Sequence, residues 1–127
     1  MRSGALAVAF LAGATAFLAE AAAAAPAPGR YEGELCVATR PEAAPSCGAA
    51  DVEIAAGPVV VVRVADIVYR LALRPERLDL ETMHGLMEID EFSAAYLWDG
   101  STLRFHDPDK DVRYEIRVGA PKAGTPS

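Results

Sequence analysis

Between Tyr31 and Val118 the chain repeatedly places an apolar side chain at every second position. Ile67, Tyr69, Leu71 and Leu73 alternate with Val68, Arg70, Ala72 and Arg74, and Val112, Tyr114, Ile116 and Val118 alternate with Arg113, Glu115 and Arg117. Successive side chains of an extended strand point to opposite faces, so this spacing yields a ribbon with one face that must leave water. Tyr31, Gly33, Leu35 and Val37 repeat the pattern around Glu32 and Glu34. So do Val52 and Ile54 around Glu53, and Leu78 and Leu80 around Asp79. Val59 to Val62 is an unbroken β-branched run, expected at the centre of a sheet or buried on both faces.

Turn signals separate these segments: Ala56-Gly57-Pro58, Pro75-Glu76, Asp99-Gly100 and Asp107-Pro108-Asp109-Lys110. Asp-Gly suits a tight hairpin turn, where φ is positive. The phase is irregular over residues 90–96. Met87 and Ile89 alternate with Glu88 and Asp90, then the pattern slips before Ser93. A bulge, a turn or a short helix over Glu91 to Leu97 would each produce that slip. Strand is the preferred reading, because Tyr96 to Trp98 leads directly into the Asp99-Gly100 turn. About eight short strands result, with no helix to carry a parallel crossover. The expected fold is all-β: a small antiparallel meander closing into a roughly eight-stranded barrel, with a two-layer β-sandwich as the alternative.

The ends read differently. Residues 1–25 have the three-part order of a signal peptide: Arg2 near the start, an apolar run from Gly4 to Ala19, and small residues from Ala21 to Ala25. The expected product is periplasmic or secreted, with one β-barrel-like domain over residues 30–118 and a disordered tail over 119–127. Cys36 and Cys47 are the only cysteines. In an exported chain they are expected to form a disulfide. Ten residues lie between them, wider than the usual spacing of a metal-binding pair.

The stretch Gly29-Arg30-Tyr31-Glu32-Gly33-Glu34-Leu35-Cys36 resembles the opening of small exported barrel domains in bacterial envelope lipoproteins. The N-terminal barrel of the copper-linked, adhesion-sensing outer-membrane lipoprotein is one example. In that family a Tyr-x-Gly-x-Leu element runs into Pro-Cys, with a second Cys three residues on. This chain lacks that proline, spaces its cysteines differently and has no lipid-attachment cysteine. The resemblance implies a barrel, and no functional residue carries over.

The net charge is −6, and removing residues 1–25 leaves it unchanged, since Arg2 and Glu20 depart together. An acidic domain without a basic cluster is not built for nucleic acid or for an anionic membrane surface. Glu88, Asp90 and Glu91 with His84 could serve acid–base chemistry across a cleft, but on a strand they read as a solvated face. Met83, His84, Met87 and His106 offer copper-type donors. Strand parity would put the two methionines together in the core and His84 in solvent. Asp107, Asp109 and Asp111 begin like a calcium loop, yet Val112 and Val118 stand where its glycine and closing glutamate belong. Ser46, Ser93 and Ser101 lack a nucleophile-elbow setting. No cofactor is implied. Tyr96 and Trp98 share one face, and form either core or an exposed contact patch. The leading expectation is an exported, non-enzymatic binding module for a protein partner, with inhibition of a basic, lysozyme-type cell-wall hydrolase as one form. The alternatives are a carrier holding a small apolar ligand inside the barrel, and a copper protein or enzyme using His84 and His106.

Overall fold

The computed structural model describes residues 25–122, so the signal-peptide reading of residues 1–25 lies almost wholly outside the described residues, as does the tail from residue 123. Eight strands follow one another: β1 (Gly29–Ala38), β2 (Ser46–Ala55), β3 (Val59–Val64), β4 (Ile67–Leu73), β5 (Arg77–His84), β6 (Met87–Asp99), β7 (Thr102–Asp107) and β8 (Val112–Pro121). Each pairs antiparallel with the next, and β8 returns to β1 to close the barrel. The sandwich alternative is therefore excluded.

The alternation in the sequence becomes the wall of the barrel. Leu71 and Leu78, Leu103 and Ile116, and Val52, Val60 and Val62 all point inward and are fully buried. Burying a side chain of this kind stabilises by about 1.5–3 kcal/mol. The continuous valine run resolves into both faces. Val60 and Val62 belong to the interior, while Val61 is buried on the outer face between Glu53 of β2 and Arg70 of β4. Long charged side chains of this type cover apolar surface with their stems.

Aromatic rings fill the two ends. At the end holding the first residue of β1, Tyr31, Tyr96 and Trp98 pack against the core. The Tyr31 hydroxyl donates to the Ala27 carbonyl at 2.5 Å and the Tyr96 hydroxyl to the Arg74 carbonyl at 2.6 Å. At the other end Phe105 stacks on Tyr114 with centroids 4.9 Å apart, and Phe92 tilts against Tyr114 at 5.7 Å. An eight-stranded barrel is narrow enough for side chains to occupy its interior in this way.

Three local features depart from the simple alternation. The slip near residue 90 is a bulge: Thr82 pairs with Asp90 and Met83 with Glu88, leaving Ile89 unopposed, so β6 is one continuous strand with no helix over 91–97. A turn at Gly85-Leu86, with Gly85 at φ 63°, separates β5 from β6. It resets the parity, so Met87 stands exposed opposite His84; Met83 is not in the core either, because the buried positions of β5 are Leu78, Leu80 and Thr82 and Met83 alternates with them, part-buried on the other face. Finally, the last strand does not end at Val118. It runs to Pro121, pairing with Tyr31, and the Lys122 amide donates to the Arg30 carbonyl at 2.9 Å. The start of β1 needs a ladder partner, and residues 119–121 supply it.

Cys36 and Cys47 are directly opposite in the β1–β2 register and joined by a disulfide, with Cα atoms 4.0 Å apart. Replacing both by alanine is expected to cost about 2–3 kcal/mol through the freed loop entropy, measured as a lower denaturant midpoint. Gly33 lies at the seam between β1 and β8. A Cβ there would stand 2.6 Å from Val52 Cγ2 and 2.8 Å from the Arg117 carbonyl oxygen. Gly33→Ala is therefore expected to destabilise by about 1–3 kcal/mol, and an unchanged unfolding midpoint would contradict the tight seam.

Candidate functional site

The β5–β6 hairpin ends level with the β3–β4 turn, since Ile67 pairs with His84, and carries the main exposed large apolar residues. Leu86 at the turn is fully exposed, Met87 is 62% exposed and Ile89 is 51% exposed. Each has a local cause. Leu86 sits in a turn held by Gly85, Met87 lies past the last inward-facing pair, and Ile89 is turned out by the bulge. Scattered apolar residues on a surface are ordinary; here three of the four large exposed ones fall within four consecutive residues.

Carboxylates surround this tip. Glu81 of β5 stands directly opposite Glu91 of β6, and Glu88 hydrogen-bonds to Glu91 from the same strand. Like charges directly opposite on a sheet destabilise it. The bond to Glu91, then burial and the fields of Glu91, Glu81 and Asp90, push the Glu88 carboxyl above its ordinary value. Arg70 stands beside Glu81 in the β4–β5 register. Among the described residues, none of Glu81, Glu88 and Glu91 forms an ion pair. Glu32, Glu42, Glu76 and Asp109 likewise form no ion pair among the described residues, while one stretch of the wall is densely paired. Across β1, β8, β7 and β6, Arg117 bridges Glu34 and Glu115 at 3.0 Å each, and Arg104 bridges Glu115 at 3.2 Å and Asp99 at 2.8 Å.

The polar groups near the Tyr114 end hold structure together. Asp107 is 1% exposed. Its Oδ1 accepts from the Asp109 amide at 2.9 Å and the Lys110 amide at 3.3 Å, which folds the β7–β8 turn. Lys110 Nζ then donates to Asp90 Oδ1 at 2.6 Å, tying that turn to β6 and raising the lysine above its ordinary value. Burial first, then the charges of Asp90 and Asp107, push the Tyr114 hydroxyl up to about 12. The Asp107-to-Asp111 segment is thus a hairpin turn.

The residues singled out from the sequence fall apart in space. Tyr96 and Trp98 turn inward and pack against the core, so they form no outward patch; Leu97 between them is the exposed residue. His84 lies 4.0 Å from Asp66, and His106 lies 2.7 Å from Asp111. The register puts Met87 opposite His84 and Tyr96 opposite Phe105, so His106 stands beside Ala95. Eight strand positions separate Met87 from Ala95, roughly 25 Å at strand rise. One metal ion cannot join His84 and His106. Among the described residues, Glu34, Cys36 and Cys47 bring metal-type donor atoms within 4.8 Å of one another, but both sulfurs are committed to the disulfide.

Sequence reasoning missed Leu86, Ile89 and Glu81. Gly85 was the available signal, since a glycine between two alternating segments marks a turn that would expose its neighbours. The chain is thus a closed, eight-stranded antiparallel β-barrel with an acidic, apolar-tipped hairpin. No family model, curated protein or solved structure matches it.

The raised Glu88 carboxyl has a linkage consequence. A carboxyl that binds its proton more tightly in the folded state adds stability below its folded pKa. That contribution is lost as pH rises from the unfolded value through the folded one. Glu91→Gln is expected to bring Glu88 back toward 4.5, its ordinary value, and to reduce this loss. Carboxyl NMR titration checks it, and a Glu88 midpoint unmoved by the substitution would refute the assigned cause.

Proposed function

We propose that this chain is a non-enzymatic binding module that presents the β5–β6 hairpin to a basic protein partner, a cell-wall hydrolase of the lysozyme type. The observation that carries the reading is the joint placement of an exposed apolar tip, Leu86, Met87 and Ile89, and an un-neutralised carboxylate group, Glu81, Glu88 and Glu91. The tip gains by leaving water. The carboxylates form no ion pair among the described residues, although Arg70 stands opposite Glu81, and gain by meeting further cations. A net charge of −6 steers the chain toward a positively charged enzyme over distances set by the ionic strength.

Other observations support a surface role over the alternatives. The interior is occupied by buried leucine, isoleucine and valine side chains, which favours a contact on the outside over a ligand within. The disulfide agrees with an oxidising compartment, and with the export reading of residues 1–25 the working location is periplasmic or secreted.

Immobilised lysozyme at low ionic strength is expected to bind the protein at micromolar concentration or tighter, and less well as salt rises. Leu86→Asp is expected to weaken that binding at least about tenfold without lowering the unfolding midpoint, because its side chain touches only solvent. No binding at micromolar concentration, or full affinity in Leu86→Asp, would sink the proposal.

A further inference from the structure

A concavity lies on the outer wall where β6, β7, β8 and β1 run side by side, with a volume of about 390 Å³. Its shape follows from side-chain size. Outward positions Ala38 and Ala95 are small, and Cys36 is fully buried beneath the surface, so the floor is low and apolar. Leu97, 61% exposed, raises one side. The connection between β1 and β2 raises the other, with Pro45 at its edge. That connection is pinned from below, because Arg113 Nη2 donates to the Pro41 carbonyl at 3.0 Å and the Ala43 carbonyl at 3.4 Å. The volume falls within the range of small-molecule sites, which join an apolar lining to a few placed polar groups.

Two arginines and one carboxylate, Arg104, Arg113 and Glu115, line this groove. Arg104 at its edge is engaged by Asp99 and Glu115. Arg113 forms no ion pair among the described residues, although the chain as a whole is acidic. Nη2 is taken by those two carbonyls, which leaves Nη1 and Nε as separate single donors beside an apolar floor. A single N–H bond from a guanidinium to a carboxylate is still strengthened by the charge on both partners.

We propose that this groove binds a medium-chain fatty carboxylate, the chain lying on Ala38, Ala95 and Leu97 and the head group pairing with Arg113. The site is separate from the hairpin tip, and its ligand is amphiphilic and anionic. It stands whether or not the hairpin meets a basic protein.

Octanoate and octanol are the probes, titrated into the ¹⁵N-labelled protein and followed by amide shifts. Octanoate is expected to saturate with shifts centred on Ala95, Leu97, His106 and Arg113, and to bind at least about tenfold tighter than octanol. Arg113→Gln is expected to bring the octanoate and octanol affinities together, a ratio that reads the head-group pairing even though Arg113 also pins the connecting loop. Leu97→Asp is expected to weaken both. If octanoate and octanol bind equally, if neither saturates, if the shifts centre on the hairpin or the core, or if Arg113→Gln lowers both affinities alike, the proposal is overturned. The last result would leave Arg113 as a pin for the connecting loop alone.

Discussion

The pairing of β1 with β8 is the constraint on which the rest depends. Seven hairpin connections would make only a curled ribbon with two raw edges, each a row of unpaired amides and carbonyls. Closing the ribbon satisfies both edges and seals the interior against water. The seam has its own chemistry. Gly33 lets β1 approach Val52 and the Arg117 carbonyl at a place where the register shifts between Tyr31 and Gly33. Gly119 brings the facing strand equally near, since a Cβ there would stand 3.0 Å from the Glu32 carbonyl oxygen. Arg117 then links the two strands on the outside through Glu34. The seam is drawn tight by missing side chains as much as by present ones.

Once the wall is closed, what distinguishes one part of the surface from another is whether its charges are answered. On the wall from β1 through β8 and β7 to β6, arginines and carboxylates alternate, and each ion pair contributes little in water. At the β5–β6 hairpin the carboxylates face one another, and the nearest apolar side chains are left in solvent. Natural sheets usually place opposite charges or neutral pairs in register. A sequence that keeps Glu81 against Glu91 accepts a local electrostatic cost, with Arg70 of β4 as the cation that stands opposite Glu81.

Most of the fold was legible because burial on one face imposes a period of two, and that period is visible from Ile67 to Leu73 and from Val112 to Val118 without any tertiary information. The disulfide was legible from chemistry and compartment. The bulge at Ile89 was legible only as a loss of phase, since alternation records which side a residue faces and not how an extra residue is accommodated. The candidate site was much less legible. Counting parity across Met83 to Met87 ignored the Gly85 turn, and this reversed the assignment of Met87. Tyr96 and Trp98 share a face in the sequence, but only closure decides that this face is the inner one. Groove and tip arise between strands distant in sequence or at a turn, where periodicity has nothing to measure.

The first residues of β1 and the last of β8 lie side by side, with Tyr31 beside Pro121. They share one rim of the barrel with the Gly57, Pro75 and Gly100 turns, while Gly85 and Leu86 occupy the far rim. An anchor, a label or a fused domain attached through either end therefore holds the molecule like a handle, with the acidic hairpin facing away. The same proximity means that a short linker could join the two ends and new ends could be opened at one of the near-rim turns, giving a circular permutant whose hairpin is undisturbed.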